Sequence, residues 1–310
     1  MTKHVEEKLE KIPVVSTIVK LLKKINLPGY QGFSFYDLIE LYVVGIFKGA
    51  LTSRASAVAF NFFTAIFPFL LFILIIMPYI PIENFREDFL LFLDSFLPPQ
   101  TSEFFFKNIF ENINNGQGGL LSSVFFLALF LMANGINSLF SGFEFSYHTQ
   151  ISRPFIRQYL YAFWVAIILA FLLIFTVVGL GYFQLYVINP LNSTLETQGV
   201  QQGALLAVMA KNLFFIIMVF IASATIFYFG TREGRNTRFF SVGAVFTTFL
   251  IIVTSYFFGI YIEEFSRYNE LYGSIGALLI LLLFIWLNCN IVLLGFELNA
   301  SLNRLKGGSK

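Results

Sequence analysis

The sequence predicts an all-α, polytopic membrane protein with six transmembrane helices, both termini in the cytoplasm, and amphipathic helices lying at the membrane surface. Three observations carry that prediction. Of 310 residues, 57% are hydrophobic and only 12% charged, about half the charged fraction of a soluble domain. Six apolar runs are each long enough to cross a hydrocarbon layer of about 30 Å. Of 20 Lys and Arg, 16 fall in the N-terminal region, the tail and alternate loops, and 3 in the remaining loops, with Lys211 inside a span. The positive-inside rule then places both termini in the cytoplasm of a multi-pass membrane protein.

Residues 1–35 form a charged cytoplasmic segment in which Pro28-Gly29 breaks any helix. No signal-type apolar core precedes the first span, so that span is expected to direct its own insertion. From Phe35 to Ala50, Asp37, Glu40 and Lys48 are set among apolar residues, the pattern of an interfacial elbow helix. Arg54 opens the first crossing, 55–80, and Pro68 should kink it by removing a backbone hydrogen bond. The linker 81–118 sets Phe85, Phe89, Phe92 and Phe96 at helical spacing opposite Glu83, Glu87, Asp88 and Asp94. A second amphipathic piece follows Pro98-Pro99, capped by Thr101 or Ser102. Both read as helices on the outer surface or a lid over the bundle. The remaining spans are 119–143, 159–183, 204–229, 239–262 and 273–296, making one membrane domain over 36–304 and a cytoplasmic tail over 305–310.

Polar residues recur on particular faces of these spans. At 100° per residue, Asn134, Asn137, Ser138 and Ser141 share one face of the second span, joined by Glu144 and His148 if the helix continues. Arg54, Asn61 and Ala65 align on the first span, and Asn290 and Glu297 on the last. With both termini inside, all three stripes belong to the cytoplasmic half of the membrane. Two readings follow. The asparagines and serines are interhelical glue, at about 0.6 kcal/mol per contact, with the charges anchoring helix ends. Alternatively, Arg54, Asn61, Asn134, Asn137, Ser141, Glu144, Asn290 and Glu297 line a polar cavity open to the cytoplasm, where Arg54 meets an anionic headgroup or pairs with a glutamate. Lys211 and Asn212 sit near the outer end of the fourth span, where a lysine snorkels outward or meets an acidic loop residue.

Enzyme chemistry finds no support in the residues. The two histidines, His4 and His148, are far apart, and there is no CxxC, HExxH or P-loop pattern. The single cysteine, Cys289, lies within the last span and excludes a disulfide framework. A net charge of +2 gives no case for nucleic acid. No cofactor or metal is expected; membrane lipids are the expected partners, and self-association is compatible with the sequence.

RASAVAFNFFTAIFPFLLF (54–72), SRPFIRQY (152–159) and above all YGSIGALLILLLFIWLNCNIVLLGFELNASL (272–302) resemble the YihY / virulence factor BrkB family. The YGS-x-GA opening and LLG-x-ELNA ending are the most specific part. The loop FGTREGRNTR (229–238) departs from the more basic, Pro-containing loop of many members. The resemblance implies a six-helix bacterial inner-membrane protein. Members have carried a ribonuclease label, which these residues do not support; others are linked to serum resistance or envelope biogenesis, and lipid or ion movement has been suggested. From the inward-facing polar stripes, the position of Arg54 and the amphipathic outer helices, the expected function is transporter-like handling of a lipid-related or other anionic amphiphile through a cytoplasm-facing polar cavity. The alternatives are a non-transporting scaffold for envelope biogenesis and a proton-coupled ion exchanger.

Overall fold

The computed structural model describes residues 19, 21–25, 34–48, 50–76, 118–146, 153–183, 186–187, 202–231, 239–264 and 274–308. The linker expected before Gly118, His148, and most of the loop 229–238 lie outside the described residues. Among the described residues seven helices follow one another: α1 (Phe35–Lys48), α2 (Leu51–Ile76), α3 (Gly118–Glu144), α4 (Phe155–Phe183), α5 (Gln202–Gly230), α6 (Val242–Glu264) and α7 (Ser274–Gly308). Among the described residues there is no strand, as an all-α membrane domain requires. Five of them, α3 to α7, contain stretches long and apolar enough to cross a membrane. The 26-residue α2 occupies the place of the first expected crossing, and Pro68 lies within it.

The helices start where the local chemistry tells them to. Ser34 and Asp37 form a capping box on α1: the Ser34 amide donates to Asp37 Oδ2 (2.7 Å), and the Asp37 amide donates back to Ser34 Oγ (3.3 Å). Ala50 takes a positive φ of 46° at the corner between α1 and α2. Pro154 stands just before α4, where its missing N–H costs nothing. Ser241 caps α6, accepting from the Ala244 amide at 3.2 Å. The last helix does not stop at the membrane boundary expected near Phe296. Its sequence stays helix-forming through Leu305, and its final turns set Leu302 and Leu305 against Leu38 of α1.

Side-chain size sorts inversely to the pattern of a soluble core. Ala55, Ala133, Ala162, Ala224 and Ala244 are among the buried residues, whereas Phe60, Phe126, Trp164, Phe171, Phe249 and Tyr256 face outward. Lipid is as apolar as a leucine side chain, so nothing drives the large residues inward, and small ones let backbones approach. α2 packs on α3, α3 on α4, α4 on α5, α5 on α6, α6 on α7, and α7 returns to α2. A cluster of large rings closes the centre at one end: Phe143 stacks on Phe296 with centroids 4.2 Å apart, and Phe227 meets Phe143 edge-on at 5.9 Å.

The tightest crossing joins α6 to α7. A Cβ on Gly295 would overlap Thr247 Oγ1, and a Cβ on Gly243 would overlap the Gly295 carbonyl oxygen. Asn299, one turn beyond Gly295, seals this approach. Its Oδ1 accepts from the Gly243 amide at 2.8 Å, and its Nδ2 donates to Ser241 Oγ at 2.9 Å. The amide thereby satisfies a donor at the start of α6 that has no partner within its own helix.

Candidate functional site

The polar residues gather at the end of the bundle that carries α1 and the last turns of α7. At its centre Arg54, near the start of α2, reaches Glu297 of α7: Nη2 donates to Oε1 at 2.6 Å. The second guanidinium nitrogen, Nη1, donates to the Gly142 carbonyl of α3 at 2.6 Å. The other carboxylate oxygen, Oε2, accepts from Ser146 Oγ at 2.8 Å. One ion pair thus clasps α2, α3 and α7. Its side chains are only 8% and 0% exposed, and Arg54 Nε has no hydrogen-bond partner among the described residues. A charge so removed from water persists only because its counter-charge and hydrogen bonds are in place.

Two further layers flank the pair. Beside it, Glu144 at the end of α3 accepts from the Arg153 amide at 3.0 Å, while Arg153 Nη1 donates to the Phe229 carbonyl of α5 at 2.6 Å and its guanidinium covers the Tyr161 ring at 4.4 Å. Gln158, with its amide turned to suit both neighbours, donates to Glu144 Oε2 at 2.9 Å and accepts from Ser141 Oγ at 3.0 Å. Two turns deeper, Asn61 Nδ2 donates to Ser138 Oγ at 2.9 Å, and Asn134 Nδ2 approaches Asn61 Oδ1 at 3.5 Å.

Of the residues singled out by sequence, Arg54 and Glu297 meet directly, Asn61 meets Asn134, and Ser141 and Glu144 join through Gln158. Asn137 contributes its carbonyl to Ser141 Oγ within its own helix. Asn290 donates to the Trp286 carbonyl one turn back and bridges no helix by that bond. Ser146 and Gln158 were not singled out, and Arg153 entered only among the basic loop residues that anchor the topology. For Gln158 the signal was there: an uncharged polar residue in the first turn of an apolar span. The α6–α7 seam at Gly243, Thr247, Gly295 and Asn299 was also missed, although small or short residues four apart on both helices mark such a crossing.

Beyond the asparagine layer α2, α3 and α4 line an apolar pocket of about 220 Å³. Phe62 and Ala65 of α2, Met132 and Gly135 of α3, and Ala166 and Ala170 of α4 line it. Ala65 lies one turn past Asn61, so the pocket continues the polar stripe inward as an apolar one.

Tyr42 of the surface helix α1 feels the buried pair. Burial raises its pKa above the ordinary 10.0, and the charge on Glu297 raises it further. A phenol whose folded-state pKa is raised contributes stability that is complete below its unfolded pKa and is lost as pH rises through the folded one. The docking of α1 should therefore weaken above about pH 10, and Tyr42→Phe should remove part of that alkaline sensitivity in thermal unfolding followed against pH. Identical alkaline profiles for the two proteins would break the link to Tyr42.

Apolar crossing helices, small-residue packing and a buried charged clasp define a multi-pass integral membrane protein of the α-helical type, the architecture of inner rather than outer bacterial membranes. The profile of the virulence factor BrkB family matches residues 46–310, and the chain belongs to that family. It is 27% identical over 267 residues to the ribonuclease-like protein YfkH of Bacillus subtilis (strain 168), covering 82% of this chain and 90% of that one. It is 25% identical over 294 residues to a UPF0761 membrane protein of Psychrobacter sp. (strain PRwf-1), covering 91% of this chain and 51% of the relative. The chain thus spans about half of the Psychrobacter protein and most of the Bacillus one. No solved structure matches it. Among the described residues, no three His, Cys, Asp or Glu come together as a metal site would need.

Proposed function

We propose that this protein is transporter-like and takes an anionic amphiphile, most simply a phospholipid, from the cytoplasmic leaflet. What carries the reading is one arrangement: the apolar pocket of α2, α3 and α4 runs directly on from the Asn61–Ser138–Asn134 layer, with the Arg54 guanidinium two turns further out on the same helix. An acyl chain suits the pocket, the asparagines suit a glycerol ester region, and the guanidinium suits a phosphate, which it binds in bidentate fashion. On this reading the Arg54–Glu297 pair is the closed position of the site. An incoming phosphate competes with Glu297 for the guanidinium, and opening exposes Asn137, Ser141, Glu144 and Asn290 on the adjoining faces. No catalytic step is part of the proposal.

The test is reconstitution into vesicles containing a fluorescent phosphatidylglycerol, with chemical quenching of label in the outer leaflet. The protein should speed exchange between leaflets, and Ala170→Leu, which fills the pocket, should slow it severalfold. Vesicles in which this protein moves no label, while a known lipid transporter succeeds in parallel, overturn the proposal. That result would favour a scaffold in envelope assembly, a reading supported by the way the polar groups at this end bond to one another and leave Glu297 wholly buried.

A further inference from the structure

The first helix, α1, stands beside the Arg54–Glu297 pair and packs chiefly on the end of α7, much less on α2, which follows it in the chain. Leu38 holds it there against Leu302 and Leu305, with Leu298 alongside, in a cluster separate from the main apolar core. At 100° per residue Ser301 lies about 40° from Glu297 around α7, and the three leucines lie at about 80–140°. The side of α7 that α1 covers therefore begins next to the carboxylate. Ser301, between the two, is wholly buried, and its hydroxyl has no hydrogen-bond partner among the described residues. Tyr42, one turn along α1 from Leu38, is close enough to Glu297 to feel its charge.

Two features keep the cost of undocking α1 low. The first is a second apolar face. Taking Leu38 as zero, Tyr42 falls at about 40° and Ile46 at about 80°, whereas Val43 and Phe47 fall at about 140° and 180°. Val43 and Phe47 are exposed, Phe47 by 80%. A helix with such a face rests in the boundary between headgroups and acyl chains. Leaving α7 for that boundary takes Leu38 from one apolar setting to another, because lipid is as apolar as the leucines it parts from. The second feature is the corner at Ala50, whose φ of 46° lies in the left-handed region. An alanine held there crowds its Cβ against the backbone, and a swing of α1 about this corner is the motion that relieves it.

We propose that α1 is a lid hinged at Ala50. Docked on α7, it closes the Arg54–Glu297 pair from the cytoplasm; released, it lies in the cytoplasmic leaflet and leaves the pair open to a headgroup. The inference rests on the transport reading for what then enters, and not for the motion itself.

Thiol labelling reads the motion in the full chain. Ser301→Cys, in a Cys289→Ala background, places a reporter under the lid, and since the Ser301 hydroxyl has no partner the change strands none. In inside-out membrane vesicles it should react slowly with a membrane-impermeant maleimide. Adding Leu38→Ala should speed that reaction severalfold with the helical circular dichroism unchanged. Equal rates with and without Leu38→Ala overturn the lid. A lock gives the second arm. Leu38→Cys with Leu302→Cys, in the same background, should join α1 to α7 on oxidation and stop lipid exchange between leaflets, and a reductant should restore it. A pair that never joins overturns the proposal, and so does an oxidised pair that exchanges lipid as fast as the reduced one. If the unmodified protein also moves no lipid, the transport reading falls and the labelling rates alone decide the lid.

Discussion

Replacing Arg54 with methionine while keeping Glu297 should lower stability by about 3–5 kcal/mol, the usual cost of stranding one member of a buried ion pair. The geometry explains the size. Glu297 is fully buried, and once the guanidinium is gone it keeps, among the described residues, the Ser146 hydroxyl. The carboxylate must then protonate or draw water into the helix junction. Replacing both residues, Arg54→Met with Glu297→Leu, should recover most of the loss, because the desolvation cost leaves together with the attraction. A residual deficit of about 1 kcal/mol for each abandoned polar group, at Gly142 and Ser146, is the expected remainder. Thermal unfolding in a mild detergent gives the comparison. A single variant as stable as the unmodified protein would mean that water reaches Glu297 in the membrane-embedded state. The double variant also separates the two functional readings: under the transport proposal it folds yet moves no lipid, while a scaffold would keep its role.

A valine at Gly295 should be about as damaging, at or beyond the upper end of the roughly 1–3 kcal/mol typical of overpacking. The new Cβ would overlap Thr247 Oγ1 and stand 2.9 Å from the Gly243 carbonyl oxygen. A hydroxyl can be removed, but a backbone carbonyl moves only if α6 moves. Gly295→Ala should therefore be rescued in part by Thr247→Ala and never fully. Displacing α6 would also pull the Gly243 amide away from Asn299 and uncap the helix. Gly259, on the same helix with nothing within 4 Å of a built Cβ, is the control: Gly259→Ala should leave the unfolding midpoint unchanged. If Gly295→Val matches that control, α6 and α7 do not cross at this point.

The membrane character and the all-α build were legible because each depends on local composition. Apolarity marks where lipid is crossed but not where a helix begins or ends, which is why α2 already begins at Leu51 and α7 continues to Gly308. Angular spacing placed Asn61, Asn134 and Ser138 on facing stripes, and their side chains do meet. The same arithmetic could not say what Asn290 does, since any asparagine in a helix can turn to the carbonyl one turn back. Nor could it choose a partner for Arg54. Glu144 and Glu297 were equal on sequence, and the choice is made by the return of α7 to α2, a property of the whole bundle. The Gly243–Gly295 crossing went unremarked for a different reason: a glycine in an apolar run has no side chain to announce which way it faces.

Arg54 and Glu297 are 243 positions apart in the chain. At roughly 5–20 residues per second of synthesis, the arginine precedes its partner by roughly 12–50 s. For that interval the first helix carries a cation answered by the surrounding lipid and, once α3 has been made 88 residues on, by the Gly142 carbonyl. Arrival of the last helix closes the ring of helices and neutralises that cation in one event. An uncovered arginine beside the first crossing is thus the chemical mark of a chain still being made, and its disappearance the mark of one that is finished.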